Sequence, residues 1–172
     1  ERVIFKALNY GNSTGNYNIK NLNTSLERLK SAGSILFLLP GPKMIWQFGE
    51  VGYEISIDYN GRLGRKPIKW NYLNELNRKN IYNTWSYLIS LRKEHSIFSD
   101  PQSKIDTWLN SSIKKIQYSL GEENAILITN FDVKTQQTSV SLPSAGHWYH
   151  ATLGEKIYIE DNELDVSIPA GT

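Results

Sequence analysis

The sequence predicts an α+β chain in which a short strand and two amphipathic helices come first and an antiparallel β-sandwich follows. Two observations carry this reading. Before residue 100, apolar residues recur at three- and four-residue spacing over two long stretches, as one buried stripe of a helix requires. After Asp100 and Pro101 the pattern changes to short apolar runs with period-two alternation, separated by turn-forming clusters.

Residues 11–23, GNSTGNYNIKNLN, are dense in Gly, Asn and Ser and read as a surface loop. Leu22, Leu26, Leu29, Gly33 and Leu36 then trace the first helical stripe, with Asn23 or Thr24 as the N-cap and Glu27 in the first turn. Proline cannot continue a helix, so Pro40 must end it. The PGP turn releases residues 43–48, KMIWQF, as a strand whose continuous apolarity predicts cover on both faces, as in a parallel sheet. The Gly-rich connection over 49–70 is long for a compact domain, and loops of that length are usually functional. The second helix spans 76–95, with Ile81, Trp85, Leu88, Ile89 and Arg92 along its inner stripe and rim. Helix, strand, long loop and helix make a βα-type alternation.

Six strands are predicted downstream, at 113–120, 125–131, 137–142, 146–152, 156–159 and 164–168, with GEEN, FDVK, PSAG and EDNE among the turns between them. Such spacing argues for a sandwich. The organisation is therefore two units, residues 1–100 and residues 101–172, with the boundary near 99–104.

Composition narrows the function. Nineteen Lys and Arg against seventeen Asp and Glu leave a formal charge of +2 on 172 residues, too weak a field to recruit nucleic acid or anionic lipid. The longest apolar run, 35–40, is far short of the roughly 20 residues that span a bilayer. Without cysteine there are no disulfides or thiolate metal sites, and the compartment stays open. The start ERVIFKALNY has neither a Met nor a signal-peptide pattern, which predicts a piece of a longer chain. Aromatics are enriched, with 5 Trp and 10 Tyr, and flat rings serve both sugar binding and core filling.

Most catalytic chemistries find no support in the residues. His147 and His150 lie three apart in a predicted strand, which sends their rings to opposite faces, and His95 sits at a predicted helix end where a cation suits the dipole. No GxSxG elbow is present. GNSTGNYN matches neither a P-loop nor a dinucleotide fingerprint. The basic segment GRLGRKPIKW reads as a solvated loop with a docked aromatic. Carboxylates remain: the predicted strand delivers Glu50, Tyr53 and Glu54 to its exit, the reactive end in barrels of βα units. Glycoside hydrolysis asks for two carboxyl groups flanking one bond, about 5 Å apart for retention. The other reading makes Glu50 a loop tie that accepts backbone amides of a glycine turn.

Taken together, LLPGPKMIWQFGEVGYE, GRLGRKPIKW, a helix carrying LRKEHSIF and a β-sandwich resemble, in this order, the C-terminal part of alpha-amylase-type glycoside hydrolases of family thirteen. The resemblance covers nearly the whole chain, and PGPKMIWQFGE is its most specific portion. It implies that 43–48 is the last strand of a (β/α)8 TIM barrel, that the two helices are its seventh and eighth, and that the sandwich is the family's C-terminal domain. Glu50, Tyr53 and Glu54 become a substrate-binding wall of the sugar cleft. The family's catalytic residues, an Asp nucleophile, a Glu acid/base and a second Asp, follow earlier strands and have no counterpart here, so no residue of this chain takes a catalytic role.

The resemblance further implies a parent enzyme that acts on α-glucosidic bonds of starch-like glucans with retention, and a piece inactive alone. Its expected partners are an α-glucan or oligosaccharide, the missing N-terminal part of the barrel, and a second copy meeting the exposed barrel face. Calcium is possible in the parent, held by an inserted domain outside this chain. Two further roles for the sandwich stay open: a carbohydrate-binding module using Trp148 and Tyr149, or a purely architectural shield.

Overall fold

The structure, a computed structural model, describes residues 2–172. Helix α1 (Val3–Tyr10) precedes the region predicted as a loop, and its Ile4 is 2% exposed. Ile4 and Leu8, one turn apart on one face, both join the main apolar cluster. Within the predicted loop, β1 (Ser13–Thr14) and β2 (Tyr17–Asn18) form a short antiparallel hairpin. Helix α2 (Leu22–Leu38) is capped by Asn21 rather than by Asn23 or Thr24. Asn21 has extended backbone, so its Oδ1 can accept the N–H groups of Asn23 (2.9 Å) and Thr24 (3.3 Å), which are already inside the first turn.

Helix α3 (Leu76–Glu94) packs on α2 through an unusually close approach. A Cβ on Gly33 of α2 would lie 2.1 Å from Trp85 Nε1, so only glycine admits this indole against the backbone. The indole N–H donates to Leu29 O at 3.2 Å, and the ring meets Phe37 edge to face at 5.2 Å. Ile81, Trp85 and Leu88 are all buried, as the predicted stripe requires. Arg92 serves as the rim, donating to Phe37 O and Leu39 O at the end of α2.

Residues 43–48 are not a strand. The segment is irregular, with Met44 82% exposed and Trp46 53% exposed, where cover on both faces was expected. A strand exists through its ladder, and no strand among the described residues pairs with this one.

The second half contains seven strands rather than six. The added one is β3 (Lys104–Trp108), followed by β4 (Ile113–Leu120), β5 (Glu123–Asn130), β6 (Gln136–Ser141), β7 (Gly146–His150), β8 (Glu155–Ile159) and β9 (Glu163–Ile168). All pair antiparallel, in the orders β3-β4-β5, β6-β9 and β7-β8. The strand β5 explains how the two halves join. Ala125 and Leu127 face the helices together with Ile116 and Tyr118 of β4, while Ile126 and Ile128 face Val140, Ile159 and Trp148 of the far layer. Strand β5 is thus covered on both faces, which accounts for its unbroken apolar run AILI.

Polar contacts reinforce this junction. Asn130, fully buried, donates from Nδ2 to the carbonyls of Lys134, Ile168 and Pro169. From α2, Arg28 donates to Phe131 O (2.7 Å) and Asp132 O (3.1 Å), and Ser31 donates to Gly171 O (3.0 Å).

Gly33→Ala is expected to destabilise the chain by about 1–3 kcal/mol, because the methyl group must displace Trp85 from α2. Urea denaturation followed by tryptophan fluorescence measures the shift in midpoint; an unchanged midpoint would contradict the close approach.

Candidate functional site

The rim that follows residues 43–48 is built on a tight reversal. Phe48 takes φ 57°, in the left-handed region that an aromatic side chain rarely enters. A single turn of 3-10 helix, Gly49–Val51, follows and ends at Gly52, with φ 68°. Four backbone bonds close the reversal: Gly49 N–H to Trp46 O, Val51 and Tyr53 N–H to Phe48 O, and Gly52 N–H to Gly49 O. Glycine is required at 52 on two counts, its positive φ and the 2.3 Å that would separate a Cβ from Leu26 Cδ2.

Beneath the turn lies a small aromatic core of Phe48, Val51, Tyr53 and Tyr72. Trp70 meets Phe48 edge to face at 4.8 Å yet stays 68% exposed, so the predicted docked aromatic of the basic loop keeps one side in solvent. On the other flank the Arg2 guanidinium lies 4.4 Å from the Trp46 ring and 4.3 Å from the Tyr53 ring, and donates to Gln47 O at 2.9 Å.

The three residues singled out by sequence do not converge on one point. Tyr53 is 2% exposed, and its hydroxyl donates to Pro67 O. Burial raises its phenol pKa, with Arg2 opposing and Glu54 adding to the rise. Glu54 accepts the Tyr72 hydroxyl and pairs with Arg78 at 3.2 Å. Glu50 lies apart, half-buried, facing a groove of about 640 Å³ between the rim and α3. Ile45, Phe48, Ile68, Trp70 and Trp85 supply the apolar walls of that groove, and Gln47 and Ser86 supply further polar groups.

The carboxylate that ties down the loop is therefore Glu54, where one of the two readings of the sequence made Glu50 the tie. The reason is Arg78, which sequence reasoning missed. Its side chain is nearly fully buried and donates to Val51 O (3.0 Å), Gly52 O (2.7 Å) and Glu75 (2.7 Å) as well as pairing with Glu54. Its guanidinium also stacks on the Tyr72 ring at 3.7 Å. Only a planar fork with several fixed donors serves so many acceptors at once. The one trace in the sequence is the three-residue spacing of Glu75 and Arg78 on a helical face. Desolvation and the acceptance of its proton by Glu54 raise the Tyr72 phenol pKa well above the usual tyrosine range. Chemically, the rim offers one accessible carboxylate beside aromatic surface, with the second carboxylate engaged in holding the turn.

The histidines find modest places. His147 stands edge-on to Tyr158 at 5.1 Å, His150 Nδ1 lies 3.2 Å from Thr152 Oγ1, and His95 closes α3 beside Phe98. Among the described residues no group of three or more His, Asp or Glu is placed to hold a metal ion.

No family model and no curated protein matches the sequence. Solved structures do. The chain is similar to an alpha-amylase from Anoxybacillus, with a TM-score of 0.64 and 16% identity over 86% of this chain and 31% of that one. It is similar to an alpha-amylase from Geobacillus thermoleovorans complexed with acarbose, with a TM-score of 0.65 and 16% identity over 86% of this chain and 32% of that one. It is also similar to AmyP in complex with maltose, with a TM-score of 0.66 and 16% identity over 86% of this chain and 33% of that one. At this identity the likeness is one of fold, and the chain spans about a third of the length of these structures.

Arg78→Met is expected to cost about 3–5 kcal/mol, since it strands Glu54 and the carbonyls of Val51 and Gly52 without their cation. Chemical denaturation gives the magnitude; a loss below about 1 kcal/mol would mean that the rim is held by its aromatic core alone.

Proposed function

We propose that this chain is the C-terminal portion of an alpha-amylase-like glycoside hydrolase that cleaves α-glucosidic bonds of starch-like glucans with retention of configuration. Residues 1–100 belong to its (β/α)8 barrel and residues 101–172 form its C-terminal β-sandwich domain. The observation that carries this reading is the fold match over 86% of the chain to only about a third of each amylase. The unpaired segment 43–48, exposed at Met44, Ile45 and Trp46 beside an apolar groove, supports it, since a barrel strand separated from its neighbours presents such a face.

In this reading the upstream part of the parent covers that face and brings the catalytic acids. The chain alone is inactive, and calcium belongs to the parent. Glu50 contributes to the wall of the cleft directly, as a half-buried carboxylate beside Trp70 and able to accept sugar hydroxyls. Tyr53 and Glu54 act in the same wall by position, through Pro67 and Arg78. The maltose and acarbose in the neighbouring structures point to an oligosaccharide as ligand of the parent.

A second reading rests on a different observation. Along β7 the side chains alternate, so Trp148 packs inward while Tyr149 is 71% exposed, and Tyr158 of β8 shares that outer face at 62% exposure. Two exposed rings on one face suit a carbohydrate-binding module, since sugars stack on aromatic surfaces.

Two measurements test these readings. The purified 172 residues should release no reducing sugar from soluble starch, whereas Glu50→Gln in the parent should raise KM about 10-fold with kcat nearly unchanged, as loss of uniform binding predicts. Release of sugar by the isolated chain would overturn the first reading. In amylose-containing gels, retardation of the isolated chain that disappears in Tyr149→Ala would establish the second, and unretarded migration would remove it.

A further inference from the structure

The loop between the rim and α3 curls into a cage around one ammonium group. Lys66 Nζ donates to Tyr59 O at 2.8 Å, Gly61 O at 2.7 Å and Gly64 O at 2.9 Å, with Arg62 O at 3.5 Å. An ammonium has three N–H donors, and three short bonds use all of them. The backbone is shaped to make these carbonyls converge. Asn60 and Gly61 both take positive φ, of 53° and 73°, and Gly61 N–H and Gly64 N–H close successive turns onto Asp58 O and Gly61 O. At Gly64 a Cβ would lie 1.7 Å from Asn60 O, so the coil is too tight for any other residue.

Outside this cage the segment has little to order it. Leu63 is wholly exposed and Tyr59 is 52% exposed, and none of residues 58–66 belongs to an apolar cluster. Residue 67, next to the cage, is fixed independently through the Tyr53 hydroxyl on Pro67 O. The ammonium therefore orders the coil, and the aromatic core anchors its exit.

We propose that residues 59–64 form a cation-binding cage whose resident cation is the chain's own Lys66, and that a free monovalent cation of potassium or ammonium size occupies it once that side chain is removed. Size selects the class. Calcium takes oxygen ligands at roughly 2.3–2.6 Å. The ammonium lies at ordinary N–H···O distances of 2.7 to 2.9 Å from its carbonyls, and potassium matches an ammonium in charge and size, so an ion of that class meets the same oxygens whereas calcium would need them drawn inward. This inference concerns the loop alone and stands whether or not the parent is an amylase.

Trypsin can cut after Arg62 and Arg65, both exposed in this coil, so cleavage there reads its opening. In choline chloride, Lys66→Met should be cut at Arg62 at least about 10-fold faster than the unaltered chain, and equimolar potassium chloride should slow that cleavage at least about 3-fold. Lys66→Arg should also be cut fast, because a flat guanidinium cannot point one charge at carbonyls that converge on a point. Equal cleavage of Lys66→Met and the unaltered chain would overturn the proposal, and so would indifference to potassium. A second measurement needs no variant. Acylation of the unaltered chain, followed by mass spectrometry, should modify Lys66 at least about 10-fold more slowly than the exposed Lys104, and equal rates would be equally fatal.

Discussion

One buried cation organises the rim. The Arg78 side chain sits in the first turn of α3, near the positive end of the helix dipole and almost out of water. Both circumstances oppose a guanidinium, at a desolvation cost of several kcal/mol. They are offset because Glu75 and Glu54 bring two carboxylates, Val51 and Gly52 bring two carbonyls, and Tyr72 brings a ring face. The positions of the turn at Gly49–Val51, of Glu54 and of Tyr72 are therefore one problem with one solution, and Glu50 is left on the groove side because Glu54 occupies the cation.

A second constraint links the helices to the strands. Trp85 can reach the α2 backbone only across Gly33, and that closeness sets the platform on which β4 and β5 lie. Ile116 and Tyr118, with no measurable exposure, are buried against helical residues rather than against the far layer of strands. The burial of the Tyr118 phenol raises its pKa well above the usual range, against the pull of Arg92. The strand half therefore covers the apolar flank of the helices, and Asn130, Arg28 and Ser31 hold it there through backbone carbonyls.

Much of this was legible in residue spacing. The stripe Leu22, Leu26, Leu29 and Gly33 and the stripe Ile81, Trp85 and Leu88 marked both long helices, and β4 appears at the predicted bounds. Helix α1 was not read, although Ile4 and Leu8 carry its period, because eight residues give little statistical weight. The strand β3 escaped because KIDTW mixes charge and apolar residues without a buried stripe of its own. Residues 43–48 read as a strand from composition, but β-structure is a relation between segments, and composition says nothing about whether a partner lies alongside.

The sequence by itself determined the helical stripes, the change to strand periodicity near residue 100, and the exit of Glu50, Tyr53 and Glu54 after PGPKMIWQF, because spacing and turn chemistry are local properties of a chain. Only the tertiary structure decided which carboxylate would be held and which left accessible. That choice depends on Arg78 arriving from 24 positions beyond Glu54 and on the Tyr72 hydroxyl beside it. Electrostatic pairing of buried groups is settled by distance in space and by desolvation, and neither quantity is written in the order of the residues.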